Sequence, residues 1–221
     1  MPSEARIALD KNLEDIKSLL SLHGNGKDAV DTSADGIEVL NRSAIVLLTS
    51  FWEAYCEDIA AEGLQCIVDN AKNADALPKE IKKVIAKKLK EDANELALWS
   101  IADKKWRDVL GSYMAELKEA RDRKLNTPKW ERIDDLFRSA VGLSDISKNW
   151  KVDGKLSVED ARKQLNAYVE LRGEIAHRGN TKTAVSKKQV TDYLSLVKTI
   201  ASKTGGAVKK HVYAACKVKL Y

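Results

Sequence analysis

Residues 33–71 leave a chain like this few ways to fold. Ile37, Leu40, Ala44, Leu47, Leu48, Phe51, Tyr55 and Ile59 recur at helical spacing, and Ile45, Val46, Trp52 and Cys56 make the opposite side apolar too. A helix that is apolar on nearly all sides must be surrounded by other elements, so this segment is expected to be the central, buried helix of a bundle. Its longest apolar run, residues 44–52, is too short to cross a bilayer.

The surroundings of that helix read as helical too. Leu9, Leu13, Ile16 and Leu20 share one face of a predicted helix over residues 3–23, which the Gly-Asn-Gly of residues 24–26 ends. A third helical region starts at Leu77-Pro78 and continues with breaks to residue 123. Within it Ile81, Val84, Ile85 and Leu89 face inward, leaving Lys79, Lys82, Lys83, Lys87, Lys88 and Lys90 outside, a row that could grip phosphates but reads more readily as a solvated face. Trp99, Trp106 and Tyr113 repeat every seven residues, a spacing that reads as core or interface packing. Residues 125–128 form a loop, 129–141 a short amphipathic helix, and a polar connection runs on to Asp153. With three prolines, eleven glycines and 32% charged residues, the chain is expected to be all-α. Its 221 residues suit one domain over 1–221, with a core at about 33–204 and a basic C-terminal tail at 205–221.

Several functional classes have no footing. The first ten residues contain no apolar signal core, which leads us to expect a cytoplasmic protein without a membrane segment. Cys56, Cys66 and Cys216 lack the spacing of a zinc site, and their odd number argues against a disulfide framework. There is no phosphate-cradling glycine loop, and His23, His177 and His211 are the only histidines, so no metal or other cofactor is expected. Charge is more informative. The net charge is +5, yet residues 1–76 carry 6 Lys/Arg against 14 Asp/Glu, whereas residues 181–221 carry nine lysines against Asp192 alone. Lys182, Lys187 and Lys188 open that basic segment. It reads as a surface for an anionic partner such as RNA, as a region docking on the acidic N-terminal part, or as a merely solvated face.

The most specific chemistry lies in a helix expected to begin at Ser157. Val158, Ala161, Leu165 and Val169 define its buried stripe, and the same period lands next on Arg172 and Ala176. A guanidinium on an apolar stripe costs several kcal/mol unless an anion or a wet cleft receives it, on the order of any unpaired buried ion. Glu53 of the central helix is the expected partner, either as an internal tie or as a support holding Arg172 in an anion-binding cleft. His177 follows five residues later in the expected last turn, before Gly179. Imidazole is suited to proton transfer near neutrality, although a lone histidine at a helix end is more often an ordinary surface residue.

At these positions the chain resembles the HEPN superfamily, in its RiboL-PSP branch. The resemblance rests on SAIVLLTSFWEAYCEDIA (43–60), LNTPKWERIDDLFRSAVGLSDISKNW (125–150) and LRGEIAHRG (171–179), in that order, and extends over about residues 33–198. It implies an antiparallel helical bundle with extra helices that pairs as a two-fold homodimer. It also implies a metal-independent endoribonuclease in which Arg172 stabilises phosphate charge and His177 moves protons in a composite cleft. Toxins and phage-defence ribonucleases are similar, which implies a neutralising antitoxin or defence-system partner.

The chain departs from that pattern at Gly173, where many nuclease members place Asn or Asp directly after the arginine. Glu174, Arg178 and Asn180 are the residues that stand near enough in sequence to substitute. The departure keeps two other readings open: a catalytically inactive module that binds RNA or a protein, and a purely structural helical dimer.

Overall fold

The computed structural model describes residues 1–22, 34–102, 105–122, 125, 127–178 and 184–221. Among the described residues seven α-helices follow one another: α1 (Glu4–Ser21), α2 (Ala34–Asn70), α3 (Lys79–Glu91), α4 (Trp106–Asp122), α5 (Trp130–Val141), α6 (Val158–Arg178) and α7 (Lys187–Cys216). Short 3-10 helices at Ala74–Ala76, Glu95–Ile101 and Ile146–Trp150 interrupt the connections. Among the described residues the only β-type pairing is an isolated bridge between Val152 and Leu156. The Gly-Asn-Gly of residues 24–26 lies outside the described residues.

Helix α2 is the axis. Ile45, Leu48, Trp52, Cys56, Ile59, Leu64 and Ile67 are essentially inaccessible, and α1, α4, α5, α6 and α7 all pack on it. Burying one such Leu or Ile contributes about 1.5–3 kcal/mol, which is why an all-round apolar helix settles at the centre. Helix α1 starts where Ser3 Oγ accepts the Arg6 N–H at 3.1 Å, and it lays Leu9, Leu13 and Ile16 on α2. The Ala5 N–H donates to Glu62 Oε1 at 2.6 Å, placing the start of α1 beside the far half of α2, so these two run antiparallel. Helices α5 and α6 are antiparallel too, through Lys129 to Glu170 at 2.6 Å and Arg162 to Asp134 at 3.7 Å. Gly142 ends α5 at φ 78°, a left-handed conformation that glycine adopts without strain.

Helix α7 corrects two expectations. Residues 205–221 are not a free basic tail: α7 continues to Cys216, and Val208, Val212 and Cys216 are buried on the core side. The helix begins with a capping box, in which Ser186 Oγ accepts the Gln189 N–H and the Gln189 side chain accepts the Ser186 N–H. Nor is the bundle uniformly antiparallel. Asn41 Nδ2 donates to Val185 O at 2.7 Å, Thr49 bonds Tyr193 at 3.0 Å, and Tyr55 donates to Ala201 O at 2.8 Å, so α2 and α7 advance in the same direction. Tight turns impose antiparallel packing on consecutive helices, and these two are separated by four others.

Two aromatic expectations change as well. The polar connection before Asp153 holds the 3-10 helix Ile146–Trp150, whose Trp150 is 0% exposed and meets Trp52 edge-on at 5.8 Å. Of the heptad-spaced row, Trp106 is buried and Tyr113 half-buried, but Trp99 is 75% exposed, because the 3-10 helix Glu95–Ile101 does not carry α-helical phase. The lysine row of α3 behaves as expected. Lys79, Lys82, Lys83, Lys87 and Lys90 are exposed, and Lys88 sits over the Tyr113 ring at 4.9 Å. No helix among the described residues is long and apolar enough to cross a membrane.

Candidate functional site

Helix α6 owes its position to both ends of its first half. Ser157 Oγ accepts the Asp160 N–H at 3.0 Å, which satisfies a first-turn donor. One turn on, the Arg162 guanidinium lies over the Trp130 ring at 4.2 Å and donates to Ser147 Oγ at 2.9 and 2.6 Å. Asp134 accepts the Ser147 N–H and hydroxyl, each at 2.8 Å, so α5, the Trp150 turn and α6 form one polar joint. With that register set, Ala161, Leu165 and Val169 are buried. Val158 is only half-buried.

Arg172 lies next on this stripe. It is half-buried, and its Nε is fully buried without a hydrogen-bond partner among the described residues. A buried donor left unpaired costs about 1–3 kcal/mol, more when charged. Ala176, expected on the same stripe, is exposed, and Ile175 is half-buried instead. The apolar face rotates by one position because the helix is leaving the core here.

Glu53 projects from α2 into the same region and feels the Arg172 charge. The expected direct tie does not close: no ion pair within 4.0 Å joins these side chains among the described residues. Burial pushes the Glu53 carboxyl above the ordinary carboxylate range, and the Arg172 guanidinium pulls it partly back. A carboxyl raised on folding favours the folded state fully below its unfolded pKa, and that contribution disappears as the pH rises through the folded pKa. Glu53→Gln mimics the protonated form. It is therefore expected to match wild type below about pH 4 and to melt slightly higher than wild type at about pH 7. Thermal melts across that range check this, and a lower melting temperature at neutral pH would reveal a carboxylate tied to Arg172 after all.

His177 is exposed in the last turn of α6. Five residues of regular helix separate it from Arg172 by about 7.5 Å along the axis and about 140° around it. One protomer therefore directs the two groups to different sides. Gly173 lies between them, and a Cβ there would meet nothing within 4 Å. Glu174 is exposed, as are Lys187 and Lys188 in the first turn of α7, where Lys188 pairs with Asp192 at 2.6 Å. Asn180, Lys182 and the Arg178 side chain lie outside the described residues. His211, on α7, is engaged with Val141 O at 2.7 Å, far along the chain from Arg172.

Reasoning from the sequence missed the aromatic wall of this site. Tyr193 of α7 is fully buried, bonded to Thr49 of α2, and close enough to Arg172 to feel its charge. Tyr168, four residues before Arg172, stacks on it with centroids 4.1 Å apart and planes 10° from parallel. The spacing of Tyr168 and Arg172 was the available signal, since positions four apart share a helix face. Among the described residues no group of three or more His, Cys, Asp or Glu side chains is placed to hold a metal ion.

Among the described residues the fold is helical, with Arg172 half-buried and His177 exposed five residues on at the end of the same helix. A family profile described as RiboL-PSP-HEPN matches residues 9–210. The chain belongs to the RiboL-PSP-HEPN family, a membership that suggests an RNase-related or RNA-binding function. No match was found among curated proteins or among solved structures.

Proposed function

We propose that this protein is a metal-independent endoribonuclease whose active site is completed when two copies pair about a two-fold axis. The observation that carries the reading is the divergence of its two key groups. Arg172 keeps a buried N–H near Glu53 that has no partner among the described residues, while His177 is exposed at the helix end. A second copy of α6 supplies what one lacks: two histidines, one to act as base and one as acid, around shared cationic charge. In the reaction, one His177 takes the proton from a ribose 2′-hydroxyl and the 2′-oxygen attacks phosphorus. The bond to the 5′-oxygen breaks, and the second copy's His177 protonates that oxygen. Arg172 stabilises the charge that grows on the phosphate. Lys187 and Lys188, and Lys182 beyond the described residues, draw the strand in, with Glu53, Glu174, Arg178 and Asn180 in support. A toxin or phage-defence role, with an antitoxin or a defence-system protein as partner, fits a nuclease of this family, and such a protein would act in the cytoplasm.

Purified protein is expected to cut mixed RNAs in EDTA, to leave 2′,3′-cyclic phosphate ends, to spare DNA, and to scatter light as a dimer. One feature favours a second reading, an inactive module that binds RNA. Gly173 offers no polar group next to Arg172, and the space beside it is open. Binding without cleavage selects that reading, and Gly173→Asn, which has room for its side chain, is then the substitution expected to restore turnover.

A further inference from the structure

The geometry points to a nucleobase subsite on Tyr168, where a single-stranded RNA base stacks next to Arg172. Tyr193 is the foundation. Its ring is fully buried, and because Thr49 Oγ1 gives its proton to Ile45 O at 2.9 Å, the Tyr193 hydroxyl is the donor in their 3.0 Å bond. Tyr168 lies flat against that fixed ring. It is itself only half-buried, its hydroxyl bonds no described residue, and no other described ring or cation stacks on it. An aromatic ring held rigidly from one side loses little conformational freedom when a ligand covers the other side.

The charges around the ring fit a nucleotide strand. Arg172 follows Tyr168 on the same helix face, one turn and about 6 Å further along the axis. On the α7 side, Asp192 acts on the Tyr168 phenol and is itself bonded to Lys188 at 2.6 Å. With a base on the ring's face, a flanking phosphate is directed toward Arg172, while Lys188 offsets the Asp192 carboxylate that would otherwise repel the strand. Stacking of this kind tolerates any base and requires it to be unpaired, so the ligand class is single-stranded RNA rather than duplex. The subsite rests on the RNA-binding reading above and adds to it the strandedness of the substrate and the residue that selects it.

The test uses a single-stranded 2′-O-methyl oligoribonucleotide carrying one 2-aminopurine, which has no free 2′-hydroxyl and stays intact whether or not the protein is a nuclease. Wild-type protein is expected to quench the 2-aminopurine on binding. Tyr168→Phe keeps both affinity and quench. Tyr168→Leu, similar in apolar volume but without a π-face, weakens binding about tenfold and loses the quench. Replacing the 2-aminopurine by an abasic residue costs wild-type protein a similar factor, an arm that does not depend on how any variant folds. Tyr168→Leu binding and quenching like wild type, or indifference to the abasic position, overturns the subsite and leaves the nuclease reading standing. Wild-type protein that binds no single strand overturns both.

Discussion

His177→Ala is expected to lower RNA cleavage about 10²-fold or more while leaving the fold untouched. General acid and base catalysis contributes on the order of 10²–10⁴-fold, and in a two-fold dimer the substitution removes both imidazoles at once. The structure makes this variant clean to interpret. His177 is exposed in the last turn of α6, with no described hydrogen bond or ion pair, so its truncation should change stability by less than about 0.5 kcal/mol. Single-turnover rates on a saturating single-stranded RNA, read beside thermal melts, give both numbers. An unchanged rate with an unchanged melt would remove His177 from the chemistry. Arg172 permits no such simple experiment, because its stem is part of the core-facing stripe and its loss disturbs packing as well as charge.

Trp150→Ala is expected to have the largest effect on stability, about 3–5 kcal/mol. The indole is 0% exposed, meets Trp52 edge-on, and donates from Nε1 to Thr204 Oγ1 at 2.9 Å. It therefore joins the segment before α6 to α2 and α7 together. A cavity there is expected to lower the melting temperature by about 10 °C for a chain of this size, with RNA cleavage falling only as the folded fraction falls. Trp150→Phe keeps much of the ring volume, loses the N–H, and should cost less, about 1–3 kcal/mol. Urea titrations measure both. A cost under about 1 kcal/mol for the alanine variant would mean that the site closes over the missing indole.

The parts of this protein legible in its sequence are those governed by local periodicity. The apolar residues of 33–71 read as a buried helix because their spacing is a property of that segment alone, and α2 spans Ala34–Asn70. The stripe of α6 was legible for the same reason as far as Val169, and its period placed Arg172 at a core-facing position, where the structure half-buries it. The Arg172–His177 spacing was visible in the same way, being contiguous along one helix, whereas the family likeness also drew on the segments at 43–60 and 125–150.

What the sequence left open depends on groups far apart in the chain. Nothing near Trp150 announces that Trp52 and Thr204 will enclose it, and nothing near residue 205 says that α7 will run on beside α2 in a parallel sense. Glu53 and Arg172 could be paired on paper, yet their separation depends on how α2 and α6 pack, and that packing holds them apart while burial raises the carboxyl. The stack of Tyr168 on Tyr193 likewise needed α6 and α7 to meet. The sequence by itself thus determined which segments are helical, which faces are apolar, and which arginine and histidine share a helix end, since each follows from bonds and spacings within a few residues. Only the tertiary structure decided helix direction and the surroundings of Arg172, because each depends on contacts among elements that no local pattern encodes.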